Sequence, residues 1–144
     1  MFTQLLSDIG GLWEKYGTVL KENEALLLMG HGTPHIAGMI YGALQTAFRI
    51  KEKKQVFIGT VEGWPGLVEC ISQLKKGGYK TVRLAPLMLV AGDHVRNDMA
   101  GDDEDSWKSR LEAGGFEVVC NIEGMGSFAS IASLYLQHLK QTLE

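Results

Sequence analysis

The apolar run Ala25-Leu26-Leu27-Leu28-Met29 shows no alternation of polar and apolar side chains, and it ends at Gly30-His31-Gly32-Thr33-Pro34-His35. A short run without a period of two reads as a strand covered on both faces, as in a parallel sheet with helices front and back. A chain built around such a strand must pair it on its edges and cover both its faces, which restricts it to a layered α/β architecture. In open sheets of that kind ligands collect outside the carboxyl ends of the strands. There this sequence holds an imidazole between two glycines, which leave the His31 ring uncrowded and let the backbone turn sharply.

The rest of the chain supplies the layers. Leu5, Leu6, Ile9, Leu12, Trp13, Tyr16 and Leu20 recur at helical spacing and predict a leading helical segment within residues 1–24. After the first strand, Ile36, Met39, Ile40, Ala43, Leu44 and Phe48 form the apolar stripe of a helix over 36–50. Strands are predicted over 56–61, 81–90 and 116–122, and helices over 65–76, 105–113 and 127–143, with Pro65 placed in the first turn of its helix. Pro86 marks an irregular or edge position in the third strand. Strands alternating with helices predict a three-layer α/β sandwich on a four-stranded parallel sheet, with residues 25–144 as its α/β body and a single domain overall. The length of 144 residues suits one domain.

Several function classes fall away. A formal net charge of -3 supplies no basic field for nucleic acid or an anionic membrane, and Lys51, Lys53 and Lys54 read as a solvated helix end. No apolar stretch approaches the ~18 residues of a membrane span, and the start of the sequence lacks a signal-peptide layout, so a cytoplasmic protein is expected. Cys70 and Cys120 have neither zinc-knuckle spacing nor disulfide density and read as buried thiols. Gly-His-Gly-Thr shares only its glycines with a phosphate loop.

Three candidate metal ligands share one structural address. His31 follows the first strand, Glu62 the second and His94 the third, 31 and 32 positions apart. Parallel strands bring their carboxyl ends to one edge, so the three side chains can converge. Two imidazoles and a carboxylate suit a first-row divalent ion and leave coordination positions open. Singly, Glu62 also reads as a cap of the next helix and His94 as a polar turn residue; their common address favours the site. His35 reads as a supporting or substrate-facing group, and His138 as structural. The acidic cluster Asp98, Asp102, Asp103, Glu104 and Asp105 lacks calcium-loop spacing, and Asp102 or Asp103 is expected to cap the helix that follows.

The stretches Met29-Gly30-His31-Gly32-Thr33, Gly59-Thr60-Val61-Glu62-Gly63, Pro86-Leu87-Met88-Leu89-Val90-Ala91-Gly92-Asp93-His94 and Asn97 to Lys108 resemble the anaerobic cobalt chelatases of cobalamin biosynthesis, over about residues 25 to 140. These class II chelatases insert a divalent metal into sirohydrochlorin without ATP or an organic cofactor. The resemblance implies a chelatase-like fold, with cobalt(II) and sirohydrochlorin as substrates. It implies that His31, Glu62 and His94 hold the metal, that His31 is the base for the pyrrole protons with Glu62 relaying them, and that Leu87, Met88, Leu89 and Trp64 flank the macrocycle. It covers the carboxyl-terminal half of a two-domain enzyme, and a homodimer or a separately encoded amino-terminal half is expected to complete the cleft. The alternatives are a non-catalytic tetrapyrrole- or metal-binding half-domain, and a chelatase specific for iron or nickel.

Overall fold

The computed structural model describes residues 10–143, apart from the side chain of residue 94. Of the expected leading helix, residues 1–9 lie outside the described residues; residues 10–16 are helical (α1) and tighten into a 3-10 turn at Gly17–Val19. In chain order there follow β1 (Glu24–Gly30), α2 (Met39–Ile50), β2 (Val56–Thr60), α3 (Leu67–Lys76), β3 (Thr81–Pro86), α4 (Trp107–Ala113), β4 (Glu117–Cys120) and α5 (Ala129–Leu143). The four strands form one parallel sheet in the order β2-β1-β3-β4.

β1 is buried at every residue because it has a strand on each edge and helices on each face. Ala25, Leu27 and Met29 pack with α3 and α4 through Leu67, Cys70, Leu74, Trp107 and Leu111. Leu26 and Leu28 point the other way, onto Leu12 and Tyr16 of α1, Ala47 and Phe48 of α2 and Ile131 of α5. The unbroken apolar run is thus two interleaved half-patterns, one for each core, and each fully buried leucine contributes about 2 kcal/mol. Burial pushes the Cys70 thiol up to about 12, which keeps it protonated. Cys120 is only half-buried, a partial correction to the expectation of two buried thiols.

This strand order has a reversal. The chain leaves β1 towards β2, crosses back to β3 and continues to β4, so the crevice of a doubly wound sheet opens at the carboxyl ends of β1 and β3. His31 stands directly after β1.

The boundaries that differ from expectation have tertiary causes. β3 ends at Pro86, not Val90, because the carbonyls of Met88 and Leu89 accept from the Met125 and Gly126 amides, 2.8 and 2.9 Å away. Leu87 N–H donates to Met29 of β1 at 2.8 Å, so the missing amide of Pro86 faces the other side, where β4 has already ended. Pro65 lies ahead of the first turn of α3: its carbonyl accepts from the Thr60 backbone N–H at 2.8 Å and from Thr60 Oγ1 at 3.0 Å, and the helix is capped at Gly66. That contact, with Gln45 Oε1 on the Ile58 N–H at 2.8 Å, also closes the outer edge of β2. Ser106, rather than Asp102 or Asp103, caps α4, accepting from the Ser109 N–H at 3.1 Å.

Candidate functional site

The β1–β2 ladder does not stop with the strands. Val61 N–H donates to Gly30 O at 3.0 Å and Glu62 N–H to His31 O at 2.8 Å. Two residues whose place in sequence put them after neighbouring strands are therefore held by the same backbone bonds that hold the sheet. Their side chains meet, with His31 Nδ1 3.8 Å from Glu62 Oε2 and also 3.2 Å from Gly32 O. Both are about half exposed, so the pair is open to an ion arriving from solvent.

The turn carrying His31 is built by omission. Gly32 has φ +80, and a Cβ there would stand 2.6 Å from Thr60 Cβ and 3.0 Å from the Gly63 nitrogen. A Cβ on Gly30 would run into the ring of Tyr41. The Tyr41 hydroxyl, carried on the first turn of α2, accepts the Gly32 N–H at 3.2 Å. The Gly-His-Gly turn is thus clamped between the β2 loop and α2. Nothing in the residue order marks Tyr41 as this contact; the two glycines are the signal that something packs closely there.

The loop after β3 carries the other expected residues. Leu87 is half-buried against the α1 and α2 side and Met88 against the α3 and α4 side, while Leu89 is exposed. The three expected wall residues thus face three different surroundings. Gly124 and Gly126 lie tight against the Leu89 backbone, the close approach their lack of a side chain permits. His94 begins a π-helical turn, His94–Met99, eight residues after the strand end, and its side chain lies outside the described residues. Among the described residues, His31 and Glu62 pair, and no group of three His, Cys, Asp or Glu side chains converges, the acidic stretch 102–105 included.

Beside the pair lies an open groove of about 1290 Å³ between the amino-terminal end of α2 and the β2–α3 loop, with Glu62 in its wall. Ile36, Met39 and Trp64 present it with apolar surface and are 72%, 71% and 72% exposed. Of the predicted stripe of α2, Phe48 is buried and Leu44 packs half-buried against the same core, whereas Met39 and Ile40 are bare where the helix begins next to the groove. His35 stands at that start, where its Nδ1 accepts the Ala37 N–H at 3.1 Å.

The chain is similar to known proteins. The family model for cobalt chelatase (CbiK) matches residues 8–144. The chain is 40% identical over 127 residues to the sirohydrochlorin cobaltochelatase of Salmonella typhimurium, covering 86% of this chain and 47% of that protein. It is 41% identical over 119 residues to the sirohydrochlorin cobaltochelatase CbiKC of Nitratidesulfovibrio vulgaris, covering 83% of this chain and 42% of that protein. The chain thus spans less than half the length of these curated relatives. A solved structure of the CbiX protein of Marinobacter aquaeolei VT8 superposes with a TM-score of 0.65 at 22% identity, covering 83% of this chain and 94% of that one, a likeness of fold.

Proposed function

This chain belongs to the cobalt chelatase (CbiK) family, and from that premise we propose that it carries the metal-inserting half of a sirohydrochlorin cobaltochelatase. The observation that supports this most is the His31–Glu62 pair, set side by side by the extended β1–β2 ladder at the crevice of the sheet and open to solvent. Metallation of a tetrapyrrole exchanges the ligands of a divalent ion for four ring nitrogens and releases two pyrrole protons. His31 serves as ligand to the incoming cobalt(II) and as the base for a pyrrole proton. Glu62, within 4 Å of it, shares the ion and passes the proton to solvent. His94, from the loop after β3, supplies the opposing ligand across the crevice. Because open coordination positions remain, the ion is held loosely enough to leave.

The macrocycle lies over the strand ends with the loop after β3, where Leu89 is the exposed one of the three expected wall residues, to one side and the Trp64 and α2 surface to the other. The reaction needs no ATP and no organic cofactor, since binding of the ion by the ring nitrogens drives it. Cobalt is the metal of the named relatives; an O and N ligand set ranks metals by the general transition series, so supply decides between cobalt, iron and nickel in the cell. A homodimer, or a separately encoded amino-terminal half, covers the bare groove face. The anaerobic branch of cobalamin synthesis, in the cytoplasm, is the setting. Among the described residues, no helix is long and apolar enough to cross a membrane.

Anaerobic cobalt(II) insertion into sirohydrochlorin, followed by its absorbance change, tests the proposal. The chain should give a rate above the uncatalysed background that His31→Ala abolishes. The short span relative to its relatives favours one competing reading, a half-domain that binds tetrapyrrole or metal without turnover. That reading predicts binding with no His31-dependent rate.

A further inference from the structure

Among the described residues, the groove beside the His31–Glu62 pair has three ionisable lining residues, His35, Arg49 and Glu62. Arg49 lies near the far end of α2, ten residues and about 15 Å along the helix from its start. His35 stands at the near end and is fixed there. Its N–H donates to Thr33 Oγ1 at 3.2 Å, its carbonyl accepts the Gly38 N–H at 2.8 Å, and its ring Nδ1 accepts the Ala37 N–H at 3.1 Å. A neutral imidazole whose Nδ1 accepts must carry its proton on Nε2. The capping bond therefore fixes the tautomer and leaves an N–H donor on an exposed residue, beside the apolar shelf of Ile36, Met39 and Ile40.

We propose that His35 binds a rim carboxylate of the tetrapyrrole through Nε2–H and so sets how the macrocycle lies in the groove. This rests on the chelatase reading. A flat apolar ring edged with carboxylates matches a bare apolar shelf with one fixed donor at its end. A hydrogen bond to an ionised acceptor in such a place is strong enough to register in affinity.

Two substitutions separate the donor from the cap. In His35→Asn the side-chain oxygen takes over the bond to the Ala37 N–H, and the Nε2 donor is lost. In His35→Gln the amide reaches the Nε2 position and the cap is lost. Metal-free sirohydrochlorin is titrated into each protein by absorbance and fluorescence, beside its methyl ester, which lacks the carboxylate charge. His35→Asn should bind sirohydrochlorin about tenfold more weakly, a difference of about 1.4 kcal/mol, with the wild-type melting temperature and cobalt(II) affinity. His35→Gln should bind within about threefold of wild type and melt lower. The ester should not distinguish wild type from His35→Asn. Equal sirohydrochlorin affinity for wild type and His35→Asn overturns the assignment of His35 alone. Failure of the wild-type chain to bind sirohydrochlorin overturns the chelatase reading and this proposal with it.

Discussion

Glu24 begins the central strand at the end of the sheet opposite the site, and it is 6% exposed. Burial by itself would raise its carboxyl. The Lys21 backbone N–H, 3.2 Å away, and the Arg83 guanidinium, 3.1 Å away, outweigh burial and hold it below the usual carboxylate range. A folded-state value below the unfolded one means that this stabilisation is complete above the unfolded value of about 4.3 and is lost as pH falls through the folded value. Between pH about 5 and about 3, the unfolding free energy of the wild type should therefore fall more steeply than that of Glu24→Gln. Denaturant titrations of the two proteins at those pH values give the comparison, and parallel slopes would show that Glu24 is not held in this way. At the other end of the strand, His31 carries no comparable burial. Its neighbours orient it and leave it open, as a side chain must be if it is to meet an ion and then release it.

At the scale of elements, the site depends on β1, β2 and α2 meeting at the Gly-His-Gly turn. Tyr41 is the contact from α2: its ring fills the space that Gly30 leaves, and its hydroxyl accepts the Gly32 N–H. Tyr41→Phe keeps the ring and removes the acceptor, so it should cost about 1 kcal/mol of stability. It should also weaken cobalt(II) binding by loosening the turn under His31. Calorimetry and a metal titration measure the two effects; an unchanged metal affinity would mean that the turn is held by the β2 loop alone. The elements also mark what can be read from residues in order. The β1 run and the strand-end address of His31 and Glu62 are legible because they follow from local pattern and from the geometry of any parallel sheet. The end of β3 is not, since Leu87 to Val90 has strand-like composition and the bonds that divert its carbonyls come from Gly124 to Gly126, more than thirty residues away. Pro65 satisfies the local rule for a first-turn residue, yet its carbonyl is claimed by Thr60 of the preceding strand. The groove was hidden for the same reason: an apolar stripe on a helix shows which residues would be buried, but not whether the sheet extends far enough to cover them.

For the whole molecule, the apolar side chains left exposed among the described residues include two groups. One is the groove face of Ile36, Met39, Ile40 and Trp64; the other runs along α5 at Tyr135, Leu136, Leu139 and Leu143. Contiguous apolar surface of this kind marks interaction sites in folded proteins, and the chain spans less than half of its curated relatives. The first surface adjoins the His31–Glu62 pair, so whatever covers it would also enclose the crevice and shield an ion exchange from water. Metal insertion as proposed depends on one arrangement in particular, the meeting of His31, Glu62 and His94 on a single ion. An anaerobic titration with cobalt(II), followed by its visible ligand-field absorption, tests this directly in the wild type and in His31→Ala, Glu62→Gln and His94→Ala. One ion should bind per chain with a spectrum that each substitution alters, each weakening affinity by about tenfold or more. If His94→Ala binds cobalt(II) with the wild-type spectrum and affinity, His31, Glu62 and His94 do not share one metal site, and the proposed chelatase centre is wrong.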